Sequence, residues 1–277
     1  MNDSPPRNLA QVEAELSYIV PSAEKPVVYL YRPPPGVPAQ SGRYEKRKVA
    51  IADARPIAPR LSLDVEGFRL GRHRTALRDF HDAAALTAVY YPEIERLAQA
   101  ATGASRVWIF DHTLRASAPH SDGFGAVRTP VRVAHCDYTI GSGPQRVRDL
   151  LPAEEAAQVL RHRFAIVNIW QPLKGPVQEA PLAVCDARTV APRELVGTAM
   201  KFPDRTGETY ALAFGPAHRW YYFPLMGADE AVFMKTYDSA TDGRARFAPH
   251  SAFDDPTTPH AAPRRESIET RMLLSFA

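Results

Sequence analysis

Short runs of apolar, β-branched and aromatic residues dominate the second half of the chain. After Gly103, eight such runs are separated by turns that contain Gly, Pro and Asp. The strands predicted from them are 106–110, 131–137, 164–170, 182–186, 210–214, 220–223, 231–237 and 268–276. Many short strands joined by turns of this kind are typical of a sandwich or a jelly roll. We therefore expect a mainly β fold with helical additions.

A helical pattern precedes these strands. Apolar residues recur every three or four positions from Thr75 to Thr102, which predicts one or two amphipathic helices. Pro92 lies inside this pattern, and we expect a break there because proline cannot donate an interior helix hydrogen bond. One further helix is predicted among the strands, over residues 150–162.

The N-terminal part of the chain contains a proline-rich arm. Prolines cluster in residues 33–38 and require an extended loop, because each proline restricts itself and its predecessor. Short strands are predicted on either side, at 27–31 and 48–51. We expect residues 1–104 to form an arm and a helical cap on a β-core of residues 105–277, in one continuous domain.

Composition narrows the classes of function and location. The chain has 277 residues with 45% hydrophobic and 23% charged side chains, as in folded globular proteins. Its net charge of +3 is too small to predict a nucleic-acid partner, and no apolar run is long enough to predict a membrane partner. Cys136 and Cys185 are too few for a disulfide framework, so we expect a cytoplasmic protein whose metal ligands, if any, are histidines and carboxylates.

The most informative segment for chemistry is the predicted strand 131–137. In an extended strand, His135 and Asp137 project from the same face. With a distant histidine they form the two-histidine, one-carboxylate set that holds Fe(II) and leaves positions open for O₂ and a co-substrate. The alternative is an ordinary polar pair. A second His-x-Asp pattern, His120 and Asp122, lies in a predicted turn that would hold a metal poorly.

Two histidines compete for the third ligand position. His250 follows the predicted strand 231–237 and precedes the last strand, so we favour it. His218 is the rival, with an ordinary interfacial histidine as its simpler interpretation. His260 lies in a proline-rich loop, where we expect it to face solvent.

Arginines in the last predicted strand are candidates for anchoring an acidic co-substrate. Arg265, Ser267 and Arg271 share one face of an extended run, and guanidinium groups bind carboxylates through two parallel hydrogen bonds. Arg265 is slightly favoured over Arg271. The alternative is a charged outer face on an edge strand.

Other polar and aromatic residues are candidates for contacts with co-substrate or substrate. Asn168 interrupts an apolar strand face and needs a hydrogen-bonding partner, so it is a candidate for holding a metal ligand or the co-substrate. The substrate-binding candidates are Arg115, Tyr138, Trp170 and His218. For Arg115 a surface salt bridge is the simpler alternative, and for Trp170 a place in the core.

A series of short motifs recurs in one order along roughly residues 15 to 277. The motifs are Tyr91-Pro92-Glu93, Asp111-His112-Thr113-Leu114-Arg115, His135-Cys136-Asp137, Asn168-Ile169-Trp170-Gln171-Pro172, His218-Arg219-Trp220-Tyr221-Tyr222, Tyr237-Asp238-Ser239, His250-Ser251-Ala252-Phe253 and Arg265-Glu266-Ser267-Ile268-Glu269-Thr270-Arg271. In this series the chain resembles the hydroxylase/desaturase family related to gibberellin desaturase-like and cephem-methoxylase-related proteins.

The resemblance implies a double-stranded β-helix that binds Fe(II) and 2-oxoglutarate. It implies an oxygenase that uses O₂ to hydroxylate, desaturate or cyclise a small secondary metabolite or amino-acid derivative. Tyr138 departs from the polar amide expected in many relatives and is expected to alter the substrate pocket. The alternative is a jelly-roll protein that binds a metal or ligand without oxygenase activity. Absence of a Gly-x-Ser-x-Gly elbow and of a glycine-rich strand-to-helix loop disfavours a serine hydrolase or a methyltransferase.

Overall fold

The computed structural model describes residues 9–117 and 127–277, and their secondary structure is mainly β. The strands in chain order are β1 (Gln11–Val20), β2 (Val27–Tyr29), β3 (Arg43–Asp53), β4 (Phe68–Arg72), β5 (Arg106–Ala116), β6 (Val127–Arg128), β7 (His135–Cys136), β8 (Phe164–Pro172), β9 (Leu182–Cys185), β10 (Leu195–Lys201), β11 (Thr206–Leu212), β12 (Trp220–Tyr222), β13 (Glu230–Asp238), β14 (His250–Ala252) and β15 (Glu266–Ser275). The α-helices are α1 (Ala83–Ala85), α2 (Tyr91–Thr102), α3 (Ser142–Leu150) and α4 (Ala153–Arg161). Short 3₁₀ turns cover Arg55–Arg60, Ala187–Thr189 and Pro192–Glu194.

The strands form two sheets. The larger sheet has the order β1-β3-β12-β9-β14-β7-β11-β10-β2, and the smaller has the order β4-β13-β8-β15-β5-β6. Most neighbouring strands are antiparallel, as in sandwiches and jelly rolls. The predicted mainly β fold with helical additions is confirmed.

The N-terminal strands belong to the larger sheet. β1 pairs with β3 over ten residues. On its other side, β3 pairs in parallel with β12, where Ile51 lies opposite Trp220. β1 is absent from the predicted strands, although Ala14, Leu16 and Tyr18 alternate on its buried face. Its glutamates and alanine also suit a helix, so the period-two pattern was the only signal for a strand.

The predicted helical segment is confirmed, but its break is not at Pro92. Asp82 caps α1 by accepting hydrogen bonds from the N–H groups of residues 84 and 85, and a π-helical turn, Leu86–Tyr90, connects α1 to α2. Pro92 lies in the first turn of α2, directly after the π-helical turn, so the change of helix type comes just before it. The buried face of these helices contacts Val167 and Ile169 of β8.

The helical insertion between β7 and β8 is a pair of helices. Prediction placed one helix over 150–162, whereas the structure has α3 before it and α4 within it, with Pro152 at the N-cap of α4. Gly143 lets α3 lie close to the smaller sheet, because a Cβ there would be 2.5 Å from the Tyr237 ring. The two helices thus connect the segment that contains Asp137 to β8 of the smaller sheet.

The two faces of the smaller sheet differ sharply in chemistry. On the outer face, Val167 and Ile169 of β8 and Met272 of β15 join the apolar cluster under α2. On the inner face, Asn168 and Glu269 are buried instead. Because side chains alternate along a strand, the polar set is directed into the space between the two sheets.

Among the residues that the structure describes, no helix has both the length and the apolar character needed to cross a membrane.

A paired salt bridge joins the N-terminal part of the chain to β13. Arg55 donates from both terminal guanidinium nitrogens to Glu230, at 2.9 Å and 2.8 Å. This hydrogen bonding holds the pKa of Glu230 below its ordinary value of 4.5 despite burial. A carboxylate with a lowered folded-state pKa stabilises the fold above its unfolded pKa, and that stabilisation is lost as the pH falls through the folded value.

We expect Glu230→Gln to lower the free energy of unfolding at pH 7 by about 1 to 2 kcal/mol, since Arg55 is partly exposed and screened. The difference from wild type should shrink as the pH falls below about 4.5, because the Glu230 carboxylate of the unfolded chain protonates first and that of the folded protein at lower pH. Urea unfolding at several pH values measures both effects. Glu95→Gln, at an exposed position of α2, is the control, and a pH-independent difference for Glu230→Gln would contradict the interpretation.

Candidate metal centre

His135 and His250 lie directly opposite each other on neighbouring strands of the larger sheet. β7 pairs with β14 at this position, and the two imidazole ring centroids are 4.4 Å apart. The predicted strand 131–137 is wrong in its length, because only His135 and Cys136 form strand pairs. The rest of that segment is held by single contacts such as the bridge between Val133 and Ser17.

The two histidines present the same nitrogen to one point. His135 Nδ1 donates to the Val133 carbonyl at 2.7 Å, and His250 Nδ1 donates to the Ala248 carbonyl at 3.1 Å. A carbonyl can only accept, so both Nδ1 atoms carry a proton, and in a neutral ring Nε2 then keeps a lone pair that can bind a metal. Burial, with His135 nearby, lowers the pKa of His250, which keeps its ring neutral and able to bind a metal.

Asp137 completes the cluster with one of its two carboxylate oxygens. Its Oδ1 lies 3.4 Å from His135 Nε2 and 3.9 Å from His250 Nε2. The three candidate ligand atoms all lie within 4.8 Å of one another. Two neutral imidazoles and one carboxylate are the donor set of the facial triad that holds Fe(II).

The other oxygen of Asp137 is held by the smaller sheet. Asp137 Oδ2 accepts hydrogen bonds from Asn168 Nδ2 at 2.7 Å and from Arg271 Nε at 3.1 Å. Burial raises the pKa of Asp137, but Arg271 and His135 outweigh it and hold that pKa well below its usual range. The carboxylate is therefore ionised. Asn168 holds this candidate metal ligand through its hydrogen bond to Asp137 Oδ2.

Glu269 is a second buried carboxylate beside the cluster, and sequence analysis assigned it no role. Its Oε1 accepts from Asn168 Nδ2 at 2.8 Å and lies 4.0 Å from His250 Nε2. Its Oε2 accepts from Arg271 at 2.8 Å. Burial raises the pKa of Glu269, but Arg271 outweighs this and the pKa lies below its ordinary value. Its position two residues before Arg271 on the inner face was the available signal.

Arg265 and Ser267 have unsatisfied polar groups in the buried interior. Arg265 is 4% exposed and lies over the Trp170 ring, with the guanidinium carbon 5.2 Å from the ring centroid. One terminal nitrogen donates to the Ala180 carbonyl. Arg265 Nε, Ser267 Oγ and Trp170 Nε1 have no hydrogen-bond partner in the described ranges 9–117 and 127–277. Burial, with Arg115 nearby, lowers the pKa of Arg265 to about 9.

The other two substrate-binding candidates lie close to the cluster. Arg115 is largely covered, with 12% of its side chain exposed, and it donates to the Thr129 carbonyl at 3.0 Å and lies 3.5 Å from Glu269 Oε2. It is therefore not the surface salt bridge considered as its alternative. Tyr138 follows Asp137 directly, and burial, together with the Asp137 charge, raises the pKa of Tyr138 to about 12.

The structure does not bring His218 to the metal-ligand cluster. Its Nε2 lies 3.0 Å from Glu194 Oε2, and its ring stacks on Tyr18 with centroids 5.9 Å apart. This placement corrects the expectation that His218 contacts substrate, because the buried imidazole is bonded to Glu194 inside a different core cluster. Its rival His250 is the one opposite His135. His120 and Asp122 lie outside the described residues.

A cavity of about 140 Å³ lies on the outer side of the smaller sheet, away from the cluster. Of its charged lining, Lys235 contacts Asp64, and both Lys235 and Arg163 lie 2.8 Å from the nearby Asp238. Arg69, also in the lining, lies over the Phe233 ring.

Comparison with known proteins identifies the family. A family model described as "Oxidoreductase/YMDC permease-like domain" matches residues 16–275. The hydroxylase/desaturase CTB9 of Cercospora beticola is 34% identical over 254 residues, which cover 84% of this chain and 77% of that protein. The Fe(II)/2-oxoglutarate-dependent dioxygenase nvfI of Aspergillus novofumigatus is 31% identical over 271 residues, covering 95% of this chain and 96% of that protein.

A solved structure of the same type matches almost the whole fold. The iron and alpha-ketoglutarate-dependent endoperoxidase NvfI superposes with a TM-score of 0.86 at 30% identity, covering 96% of this chain and 98% of that chain. The predicted resemblance and the predicted jelly-roll core are thereby confirmed.

We expect His135→Ala and His250→Ala to abolish binding of Fe(II) or its substitute Co(II), because two protein ligands leave the ion largely to solvent. His218→Ala should retain one ion per chain while losing stability, and exposed His260→Ala should change neither. Anaerobic titration followed by absorption spectroscopy measures the stoichiometry. Metal-free His218→Ala beside metal-bound His250→Ala would place the site elsewhere.

Proposed function

Because the chain belongs to this family of hydroxylase/desaturases and Fe(II)/2-oxoglutarate-dependent dioxygenases, we propose that His135, Asp137 and His250 hold its Fe(II). The observation that carries the proposal is the convergence of two Nε2 lone pairs and one carboxylate oxygen within 4.8 Å. The chain is an oxidoreductase that uses Fe(II), 2-oxoglutarate and O₂ on a small molecule.

Arg265 is the better candidate for anchoring 2-oxoglutarate. Arg271 already donates to Asp137, Glu269, Asp111 and Thr113, so it has little capacity for another carboxylate. Arg265 forms no ion pair among the residues described, and a buried guanidinium without a carboxylate is costly. A bound carboxylate would supply the missing charge.

Ser267 and Trp170 support the same location. Both have a buried donor without a partner, and both lie on the inner face with Arg265. A carboxylate accepts several hydrogen bonds at once, so one such group can satisfy a guanidinium and a hydroxyl together. We therefore assign Arg265 and Ser267 to the co-substrate and place Trp170 as the ring on which Arg265 is oriented.

Fe(II) and 2-oxoglutarate, when bound, would supply the chemistry of a two-electron oxidation of the substrate by O₂, with 2-oxoglutarate converted to succinate and CO₂. The protein's residues hold the metal, exclude water and orient the substrate. Tyr138 follows the ligand Asp137 in the chain, so we assign its ring to the substrate side of the site. Arg115 is held by Glu269, and we assign it to positioning that carboxylate more than to direct substrate contact.

The reaction is the hydroxylation, desaturation or cyclisation of a secondary metabolite or amino-acid derivative. Which outcome follows depends on how the substrate is oriented at the reacting group, to a precision of about an ångström. We also propose a cytoplasmic location, because two buried free thiols, Cys136 and Cys185, suit a reducing compartment.

A jelly-roll binding protein without oxygenase activity is the alternative that the comparisons disfavour, since the relatives are named as hydroxylases, desaturases and dioxygenases. Anaerobic addition of Fe(II) and then 2-oxoglutarate tests the proposal. A chelated complex gives a visible charge-transfer band, and exposure to O₂ then releases succinate. Lack of both would reject the oxygenase assignment.

We expect Arg265→Lys to raise the KM for 2-oxoglutarate tenfold or more, about 1.4 kcal/mol, because lysine keeps the charge but loses the two-pronged donor. Iron binding should persist. Succinate release measured against 2-oxoglutarate concentration tests this, with Ser267→Ala expected to raise the KM less. If Arg271→Lys changes the KM and Arg265→Lys does not, the anchor is Arg271.

A further inference from the structure

Asn168 and Arg271 each donate hydrogen bonds to both Asp137 and Glu269, and so form two bridges between these carboxylates. The Asn168 amide nitrogen donates to Asp137 Oδ2 at 2.7 Å and to Glu269 Oε1 at 2.8 Å. Arg271 repeats the bridge, with Nε donating to Asp137 Oδ2 at 3.1 Å and a terminal nitrogen donating to Glu269 Oε2 at 2.8 Å. Asn168 and Arg271 are direct cross-strand partners in the pairing of β8 with β15, so the two bridges reinforce each other.

The double bridge controls which oxygen Asp137 presents. Both bridging donors bind Oδ2, whereas Oδ1 is the oxygen that faces His135 Nε2 and His250 Nε2. An aspartate held in this way coordinates through a single oxygen. Single-oxygen coordination matters here because a chelating 2-oxoglutarate and O₂ need three further positions around a six-coordinate ion.

We propose that Glu269 is a positioning residue for the metal centre, which acts through Asn168 and Arg271 to keep Asp137 bound through one oxygen. This inference rests on the proposed assignment of His135, Asp137 and His250 as the metal ligands. Glu269 lies outside the group of three residues whose ligand atoms are all within 4.8 Å of one another, and its oxygens accept hydrogen bonds from Asn168 and Arg271, so we assign it no direct contact with the ion.

Glu269 also balances the positive charge of Arg115 and Arg271 beside the candidate metal ligands. Around the neutral histidines, the guanidiniums of Arg115 and Arg271 face the carboxylates of Asp137 and Glu269. Asp111 also contacts Arg271, at 3.1 Å, but its side chain is half exposed and its charge is screened by water. Without Glu269, two buried guanidiniums would face one carboxylate, and the excess positive charge would repel a divalent cation.

The test is the affinity of the purified protein for Co(II) in place of Fe(II), measured by anaerobic absorption titration without substrate. We expect Glu269→Gln to bind one ion per chain but ten- to a hundredfold more weakly, as is usual when an outer partner of a metal ligand is changed. Arg271→Gln should weaken binding less in the Glu269→Gln background than in wild type, because the two residues hold Asp137 through the same contacts. Independent structural defects would instead add.

Glu266→Gln is the matched control, since Glu266 lies at the start of the same strand and pairs with Lys174 at the surface. Loss of less than tenfold in Glu269→Gln overturns the proposal, and complete loss equal to that in His250→Ala makes Glu269 a ligand instead. If Glu269→Gln does not fold, the charge-neutral double variant replaces it, and affinity within threefold of wild type overturns the proposal. Failure of wild type to bind Co(II) is a failure of the ligand assignment itself.

Discussion

The need to neutralise buried charge governs the interior of this protein. The inner face of the smaller sheet carries Glu269 and Arg271, and the larger sheet directs Asp137 towards them. Ions removed from water are tolerated only when partners of opposite charge and good hydrogen-bond geometry replace the solvent. The pairing between these side chains is therefore what allows two β-sheets to face each other across a polar space.

The same constraint distinguishes two arginines of the inner face, Arg265 just before β15 and Arg271 within it. Arg271 is saturated by carboxylates from its own strand and from two other parts of the chain. Arg265 is more deeply buried and has a backbone carbonyl and an aromatic ring as neighbours. A guanidinium in such surroundings lacks a carboxylate partner, which is why we propose it as the anchor for an acid from outside the chain. The two residues are six positions apart on one face, so on the proposed assignment neighbouring positions would serve both the metal centre and the co-substrate.

Local pattern predicted much of the fold, and pairing between strands accounts for what was missed. β8 was recognised from its own residues, because a run of aromatic and branched side chains is a strand signal wherever it lies. β1 was not predicted, because its charged residues are also compatible with a helix. Its pairing with β3 is what selects the strand. Chain position favoured His250 over His218, and the pairing of β14 with β7 places His250 opposite His135. The role of Glu269 depends on the register between β8 and β15. Register is a long-range property that no single segment contains.

If His135 and His250 hold iron as proposed, their position on paired strands also determines when the ion can be acquired. His135 and His250 belong to segments far apart in the chain, and they meet only after β7 and β14 have paired. During synthesis, the His-x-Asp segment emerges long before its partner and offers only two weak ligands. An ion that binds only the completed site stabilises the native state by mass action and gives little help to earlier stages of folding. On the proposed assignment, iron loading follows the pairing of β7 with β14, so packing and buried ion pairs would bring the two strands together first.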